Sequence, residues 1–390
     1  MTEILWIDGE LTAGPQVIGG KAWGLNRMRA HGLPVPPAFV LPIACCVDYH
    51  RMGRRLGPQL RDRIAGAMVR LEFAVGRRFG SAQDPLLVSV RSGAAHSMPG
   101  MLDTVLDIGG TSRDAWQHLH EAIAAVFDSW NGPPARIYRQ THQLSGEGTA
   151  VIVQAMVAGD CGVASGSGIV CTHNPTTAST VPYGEWLPGR PGADLAAGRA
   201  TPLPLRELER TLPTVHAELL AAIDLLERDA GKPQEIEFTV ESGRLWLLQT
   251  RNTHVSAPMA GAQHRRATHH RRDRPLLRGI PASPGRGAGV AVSDIGTALR
   301  LGAAGQDVVL IRPTTDPSDI QAIIVARALV TELGGATSHA AVVSRELGRP
   351  CVVGCGRGSL TGLEDRMLLV DGEAGAVCEQ TQPKRSPQED

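Results

Sequence analysis

Residues Gly334–Cys355 have the sequence GGATSHAAVVSRELGRPCVVGC, and this stretch decides how the C-terminal part of the chain folds. A buried-strand pattern ends near Val330, a glycine pair turns the chain, and an apolar helical pattern starts at or just after His339. Gly348 is expected to end that helix, and the apolar run PCVVGC predicts another strand. His339 is therefore expected beside the N-terminus of a helix that follows a strand.

This position of His339 favours phosphoryl chemistry. The first backbone N–H groups of a helix have no partner within the helix, and with the helix dipole they favour an anion. An imidazole with an ordinary pKa of about 6.5 is largely neutral at pH 7 and can attack phosphorus. Thr337 and Ser338 would add hydroxyl donors for the phosphoryl group. The alternative is a histidine that only caps the helix; the glycine pair and the Thr-Ser context favour the first interpretation.

Two segments near the N-terminus contain the residue types of phosphate-binding loops. The GGK segment at 19–21 places Lys21 behind a glycine pair, which is a weak signal because a P-loop requires a fuller pattern. Ser89–Thr104 has the sequence SVRSGAAHSMPGMLDT, in which a strand carries Arg91 and the glycines let backbone N–H groups approach phosphates. Arg91 would supply a fixed guanidinium fork. The alternative for this loop is an ordinary surface turn.

Residues Gln234–Asn252, QEIEFTVESGRLWLLQTRN, predict a β-hairpin with a Ser-Gly turn. Alternation places Glu235 and Glu237 on one face of the first strand, and Gln249 and Arg251 on one face of the second. Carboxylate and amide oxygens are hard ligands suited to Mg²⁺ that bridges nucleotide phosphates. The alternative is a polar face exposed to solvent. The apolar residues of the hairpin favour burial, in which paired acids need a cation.

The composition is that of a globular protein, and 390 residues predict two or three domains. Lys plus Arg and Asp plus Glu are 39 each, and aromatic residues are only 4%, which argues against a nucleic-acid or membrane-surface partner. The 7 cysteines form no CxxC pair, as is typical of reduced thiols. Because neither a signal-peptide pattern nor a membrane-spanning apolar stretch is present, we expect a soluble, cytoplasmic protein.

The chain divides by composition. Residues 1–252 mix strand and helix patterns, whereas residues 253–278 have little apolar periodicity and contain His264, His269 and His270 among arginines. We interpret 253–278 as a flexible, solvated linker; a histidine metal site is the alternative, which the neighbouring cations disfavour. Residues 279–378 again have the pattern of a compact domain, and residues 379–390 are predicted to be disordered.

In order along the chain, these segments resemble pyruvate, phosphate dikinase. The matching motifs include GGKAWGLNRM, GLPVPPAF, LLVSVRSGAAHSMPGMLDTVLDIG, VFDSWN, VQAMV, SGSGIVCTHNPTT, QEIEFT, LQTRN, GIPASPG and GGATSHAAVVSRELGRPCVVGC. The resemblance implies an α+β and α/β multidomain fold. Residues 1–252 would form an ATP-grasp nucleotide-binding domain, and residues 279–378 a small swivelling β/β/α phosphohistidine domain. A helical insertion that the family has in its ATP-grasp half is missing here.

The resemblance also implies roles in ATP binding. Lys21 and Arg91 would bind the phosphates, with Arg91 acting in catalysis. The loop from Gly100 to Thr104 would cover the β- and γ-phosphates. Gln154 and Met156 would lie at the hinge beside the adenine, which completes a binding site built from several separate segments of the sequence.

Further roles concern the metal and the phosphoryl carrier. Glu237 and Gln249 would hold Mg²⁺. Arg251 would contact the phosphates, and Glu235 stands where the family usually has aspartate. His339 would carry the phosphoryl group. Thr337, two residues before it, matches a threonine that is a regulatory phosphorylation site in plant dikinases.

The expected reaction is that of ATP, inorganic phosphate and His339, which gives AMP, pyrophosphate and phospho-His339. The family's barrel that binds pyruvate and phosphoenolpyruvate is absent from the sequence. We therefore expect transfer to pyruvate to use a separate barrel domain or protein. Two alternatives stay open: a phosphotransferase with another small-molecule acceptor, and a phosphohistidine carrier or regulatory protein.

Overall fold

The computed structural model describes residues 3–110, 114–253 and 275–380. The chain forms two compact units. Unit 1 comprises residues 1–172, 188–192 and 205–253, and unit 2 comprises residues 173–187, 193–204 and 254–390. The domain boundaries expected at 252 and 279 stay predictions. Most of the expected linker, including His264, His269 and His270, and nearly all of the expected C-terminal tail lie outside the described residues.

The helices and strands are numbered in chain order. The helices are α1 (Pro15–Ala30), α2 (Ile43–Arg51), α3 (Pro58–Val75), α4 (Ala115–Ser129), α5 (Pro133–Thr141), α6 (Gly192–Ala196), α7 (Arg206–Thr211), α8 (Pro213–Ala230), α9 (Ile295–Ala303), α10 (Ile320–Val325) and α11 (His339–Glu346). The strands up to residue 252 are β1 (Leu5–Trp6), β2 (Ala38–Leu41), β3 (Val88–Gly93), β4 (Thr104–Ile108), β5 (Ala150–Ala155), β6 (Gly166–Cys171), β7 (Tyr183–Pro188), β8 (Leu203–Pro204), β9 (Gln234–Glu241) and β10 (Arg244–Asn252). The remaining strands are β11 (Leu277–Arg278), β12 (Ile280–Ser283), β13 (Arg286–Val292), β14 (Val308–Arg312), β15 (Ala328–Thr331), β16 (Cys351–Val353), β17 (Met367–Asp371) and β18 (Ala376–Glu379).

Unit 1 is built on antiparallel strands. One sheet has the order β1-β2-β5-β3-β4, and a second set of neighbours has the order β10-β9-β6. Every residue of β2, β3 and β5 is buried, which explains the apolar runs AFVL in β2 and AVIV in β5, whereas β3 buries the polar residues Ser89, Arg91 and Ser92. The predicted hairpin is confirmed: β9 and β10 pair across a turn at Ser242 and Gly243, which have φ of 50° and 80°. Such a turn matches the twist of the two strands.

Helix α1 approaches β3 at Gly19. The φ of Gly19 is +78°, and a Cβ atom there would lie 2.5 Å from the carbonyl carbon of Gly93 and overlap the carbonyl oxygen. The next residue, Gly20, donates its N–H to the carbonyl oxygen of Ala94 at 2.8 Å. Glycine is therefore required at residue 19, where two backbone segments meet without room for a side chain, whereas a Cβ on Gly20 would lie 3.6 Å from the nearest atom.

Gly19→Ala is expected to lower the free energy of unfolding by about 3 kcal/mol or more, because alanine adds both a steric overlap and an unfavourable φ. Urea unfolding followed by tryptophan fluorescence measures this change. The matched control is Gly66→Ala, at an exposed position inside α3 where a Cβ meets nothing within 4 Å. Alanine at Gly66 is expected to stabilise by up to about 1 kcal/mol. Equal unfolding midpoints for the two variants would contradict the close approach of α1 to β3.

Unit 2 contains a sheet of order β11-β18-β17-β13-β14-β15-β16-β12. Its central strands β13, β14, β15 and β16 run parallel to one another, whereas β17 and β12 pair antiparallel with β13 and β16. Strands β14, β15 and β16 are buried along nearly their whole length, as is typical of parallel strands. Arg312 at the end of β14 lies opposite Thr331 at the end of β15. The two loops that follow, one of which leads to His339, therefore start side by side.

These observations establish a mixed α/β multidomain chain with several sheets, as predicted. The ATP-grasp and swivelling β/β/α assignments stay predictions. In the ranges that the structure describes, helices long and apolar enough to cross a membrane are absent.

Candidate active site

Arg91 on β3 is the centre of a polar cluster in unit 1. Its side chain is 10% exposed. Nη1 donates hydrogen bonds to Gln154 Oε1 at 3.1 Å and to the carbonyl oxygen of Leu248 at 2.7 Å. Nη2 donates to Glu237 Oε2 and to Gln249 Oε1, both at 3.1 Å. A buried guanidinium with four acceptors is held in one orientation, which is the requirement for a fixed phosphate-binding cation.

The sheet register explains how distant residues converge on Arg91. Glu237 lies opposite Gln249 in the hairpin, so their side chains share a face. The register shifts between Leu247 and Gln249. This bulge leaves Leu248 out of the ladder, and its carbonyl oxygen accepts from Arg91. Sequence reasoning missed the carbonyl of Leu248 because a bulge has no signal in the alternation of polar and apolar residues.

Lys21 on α1 adds a second cation to this cluster. Burial lowers the pKa of the Lys21 ammonium to about 7, and repulsion from Arg91 and Arg251 contributes in the same direction, whereas the Glu237 carboxylate opposes the shift. Three basic side chains, those of Lys21, Arg91 and Arg251, thus stand against two carboxylates, those of Glu235 and Glu237. An anionic ligand would relieve this imbalance and raise the pKa of Lys21.

Binding of a non-hydrolysable ATP analogue is expected to take up about one proton per site at pH 8, because Lys21 is mostly neutral in the free protein and becomes charged beside phosphate. Calorimetry in two buffers of different ionisation enthalpy measures this uptake. Lys21→Arg is the control, since arginine stays charged throughout and should bind without it. Undiminished uptake in Lys21→Arg would show that another group titrates.

Glu235 and Arg251 bind each other beside this cluster. Arg251 Nη2 lies 2.6 Å from Glu235 Oε1, and the Glu235 side chain is 7% exposed. The two residues face each other in the hairpin register. The Glu235 carboxylate also lies 3.9 Å from the Sγ of Cys171. Of the four predicted hairpin residues, Glu237 and Gln249 therefore contact Arg91, and Glu235 and Arg251 form an adjacent ion pair.

The oxygens near Arg91 fit Mg²⁺. Glu237 Oε2 and Gln249 Oε1 both accept a hydrogen bond from Nη2 of Arg91 at 3.1 Å, so the two oxygens lie close to each other. Within the described ranges, groups of three or more His, Cys, Asp or Glu side chains that could hold a metal ion are absent. Two protein ligands are sufficient for Mg²⁺ that is also bound by substrate phosphates, because this ion keeps several water or phosphate ligands.

The other residues predicted to contact ATP are spread along β3, β4 and β5. Thr104 begins β4 directly opposite Arg91. Gly100 has a φ of +71° in the preceding turn. Gln154 directs its amide to Arg91 and to the carbonyl oxygen of Pro36, whereas the Met156 Sδ accepts from the N–H of Asp107 at 3.1 Å.

In unit 2, His339 is the first residue of α11, as predicted. Its Nδ1 lies 3.0 Å from the hydroxyl of Thr315, and its Nε2 is buried with no hydrogen-bond partner among the described residues. Burial lowers the pKa of His339, and the carboxylates of Asp316 and Asp319 oppose this. A neutral ring whose Nδ1–H donates to Thr315 has a free lone pair on Nε2, which makes Nε2 the nucleophilic atom.

Two partners of the histidine loop were missed by sequence reasoning. Thr315 follows β14, and only the parallel pairing of β14 with β15 brings it beside His339. Glu185 on β7 accepts a hydrogen bond from the hydroxyl of Thr337. Thr337 is 4% exposed. The sequence signals at both positions are local turn and strand patterns, which do not specify a distant partner.

Comparison with known proteins matches both parts of the chain. The family described as "Pyruvate phosphate dikinase, AMP/ATP-binding domain" matches residues 53–202, and the family described as "PEP-utilising enzyme, mobile domain" matches residues 304–375. This chain is a pyruvate, phosphate dikinase-like protein. The AMP/ATP-binding match includes Arg91, and the mobile-domain match includes Thr315 and His339.

Several curated proteins named pyruvate, phosphate dikinase are similar to the dikinase-like chain over nearly its whole length. The protein from Rhizobium meliloti is 32% identical, with 95% of this chain and 56% of the relative covered. The protein from Clostridium symbiosum is 30% identical, with 93% and 56% covered. Pyruvate, phosphate dikinase 2 from Zea mays is 30% identical, with 95% and 56% covered. The dikinase-like chain thus spans 56% of the length of these relatives.

Proposed function

We propose that this chain catalyses the ATP-dependent phosphorylation of His339, with AMP and pyrophosphate as products. The observation that carries the proposal is His339 itself: a buried imidazole at a helix N-terminus, with Nδ1 bonded to Thr315 and Nε2 free. The Arg91 cluster supports it by offering cations and oxygen ligands for a nucleotide. The names of the relatives support the same reaction.

The net reaction balances as follows. The lone pair of His339 Nε2 forms a bond to the β-phosphorus of ATP, and the bond between that phosphorus and the oxygen of the α-phosphate breaks, which releases AMP. An oxygen of inorganic phosphate forms a bond to the γ-phosphorus, and the bond between the γ-phosphorus and the oxygen that bridges it to the β-phosphorus breaks. That oxygen stays on the β-phosphoryl group, and pyrophosphate is released. His339 retains the β-phosphoryl group and the proton on its Nδ1, which Thr315 accepts in a hydrogen bond.

The chain's own residues would contribute mainly charge and position. Arg91 and Lys21 would neutralise the phosphate oxygens as charge develops, which is the main requirement of phosphoryl transfer. Glu237 and Gln249 would hold Mg²⁺, which when bound neutralises and orients the β- and γ-phosphates. The reacting atoms must approach to about 3–3.5 Å. A flexible linker over 253–278, as predicted from the sequence, would let the predicted phosphohistidine domain at 279–378 move to meet this condition.

Transfer from His339 onward would require an acceptor site. We propose pyruvate as the acceptor, with phosphoenolpyruvate as the product, formed at a barrel in another domain or protein. The Arg91 cluster and the His339 loop account for the first half of such a reaction only. The acceptor is therefore tested separately from the phosphorylation of His339.

Labelling with ATP that carries ³²P at the β-phosphate tests the proposal. With Mg²⁺ and phosphate, we expect label on the protein that is labile in acid and stable in base, together with AMP and pyrophosphate. Omission of phosphate should stop pyrophosphate formation. ADP as the sole nucleotide product would indicate a phosphotransferase of another kind. The absence of both label and nucleotide turnover would favour a non-catalytic carrier or regulatory protein.

A further inference from the structure

Glu185 makes a set of hydrogen bonds with the loop that precedes His339. The residue is 4% exposed. Its carboxylate accepts from the N–H of Ala336 at 2.6 Å, from the N–H of Thr337 at 3.1 Å, and from the hydroxyl of Thr337. We call these three hydrogen bonds the Glu185 contact. They satisfy donors that lie immediately before α11, where an anion is favoured.

The backbone of the loop that precedes His339 leaves space for the Glu185 carboxylate. A Cβ atom on Gly335 would lie 2.5 Å from Cδ and Oε2 of Glu185, so the contact exists only because residue 335 is glycine. Arg345 on α11 donates to the carbonyl oxygen of Ala336 at 2.7 Å and to that of Ala282 at 2.8 Å. The backbone of Ala336 is therefore held on both its N–H and its carbonyl side.

The surroundings of Glu185 act on the charge of its carboxylate in two opposite directions. Burial raises the pKa of Glu185, whereas the Thr337 hydroxyl, the two N–H groups and the charge of Arg345 oppose this. The donors thus stabilise one negative charge in a buried setting, where an unpaired anion is costly. Thr337 and His339 are two residues apart, which limits their separation to about 7 Å.

We infer that Glu185 is a positioning residue that holds the histidine loop in its unphosphorylated arrangement and is displaced when His339 is phosphorylated. The second part rests on the proposed function. A phosphoryl group on His339 adds a charge of about −2 two residues from Thr337, which donates to the Glu185 carboxylate. Repulsion between these charges in a site of low dielectric weakens the Glu185 contact. The phosphorylated loop then exposes Thr337, whose hydroxyl is buried while the contact is intact.

Amide hydrogen exchange tests the first part without any activity. In Glu185→Ala the N–H groups of Ala336 and Thr337 lose their acceptor, and we expect their exchange to be at least about 10-fold faster than in the wild type. Asp371→Ala is the matched control, because Asp371 also accepts from two backbone N–H groups, those of Glu373 and Ala374, within unit 2.

In Asp371→Ala, amide hydrogen exchange should be faster at residues 373 and 374 and unchanged at residues 336 and 337. Unchanged exchange at 336 and 337 in Glu185→Ala would overturn the inference. Should Glu185→Ala fail to fold, Glu185→Gln, which keeps the volume but lacks the charge, is measured instead. In Glu185→Gln we expect a smaller acceleration of the same two amides.

Exchange in the phosphorylated protein tests the second part. Wild type labelled at His339 should exchange the amides of Ala336 and Thr337 faster than unlabelled wild type does, and labelling of Glu185→Ala should add little. Labelled wild type with slow exchange at both amides would overturn displacement by phosphorylation. Failure to label His339 at all would contradict the proposed function, and the exchange results on the unlabelled variants would still decide whether Glu185 holds the loop.

Discussion

His339→Ala is expected to abolish the transfer of label from β-labelled ATP to the protein, a reduction of at least about 10³-fold. Removal of the nucleophile leaves no atom on which the phosphoryl group can form a covalent bond, and positioning alone cannot replace it. Alanine also frees the hydroxyl of Thr315, which is 3.0 Å from Nδ1 in the wild type. The measurement is acid-labile protein-bound ³²P after a fixed time.

The control for this variant is another histidine. His216 lies on α8 and is not among the residues assigned to the site, so His216→Ala should retain label at the wild-type level. Binding of an ATP analogue should be unchanged in His339→Ala, because the Arg91 cluster is intact. Label that persists on His339→Ala would place the phosphorylated residue elsewhere and exclude His339 as the carrier.

Arg91→Lys is expected to slow the labelling of His339 by at least about 10²-fold, although the charge is conserved. Arg91 makes four hydrogen bonds with a planar fork, to Gln154, Leu248, Glu237 and Gln249. A lysine ammonium has three donors in a different geometry and cannot reproduce this set. Misplaced charge at a phosphoryl-transfer site costs rate, because catalysis there is mostly positioning and charge stabilisation.

Arg54→Lys is the matched control for the change from a guanidinium fork to an ammonium group. Arg54 also makes paired hydrogen bonds to a carboxylate of unit 1, that of Asp128, but its side chain is 67% exposed. An exposed ion pair contributes little, so this variant should label at the wild-type rate. Single-turnover labelling at saturating ATP measures both variants. An Arg91→Lys rate within about 3-fold of the wild type would contradict a requirement for the guanidinium fork.

The local elements of both sites could be predicted from the sequence. The hairpin of β9 and β10 follows from alternation around a Ser-Gly turn, and the start of α11 at His339 follows from a glycine pair before an apolar helical pattern. These features are decided by the dihedral preferences and periodicity of neighbouring residues, which a sequence displays directly. The same alternation placed Glu235 with Glu237, and Gln249 with Arg251, on one face of each strand, whereas the bulge between Leu247 and Gln249 is what brings Gln249 opposite Glu237.

Only the tertiary structure decided which partners these residues have. Glu185 and Thr337 are 152 positions apart, and Arg91 and Glu237 are 146 positions apart. Periodicity states which face a side chain occupies, but not which distant segment covers that face. Buried polar groups then require partners wherever the packing places them. The sequence by itself therefore determined the histidine at its helix and the polar face of the hairpin, and packing between distant segments decided the Arg91 cluster and the Glu185 contact.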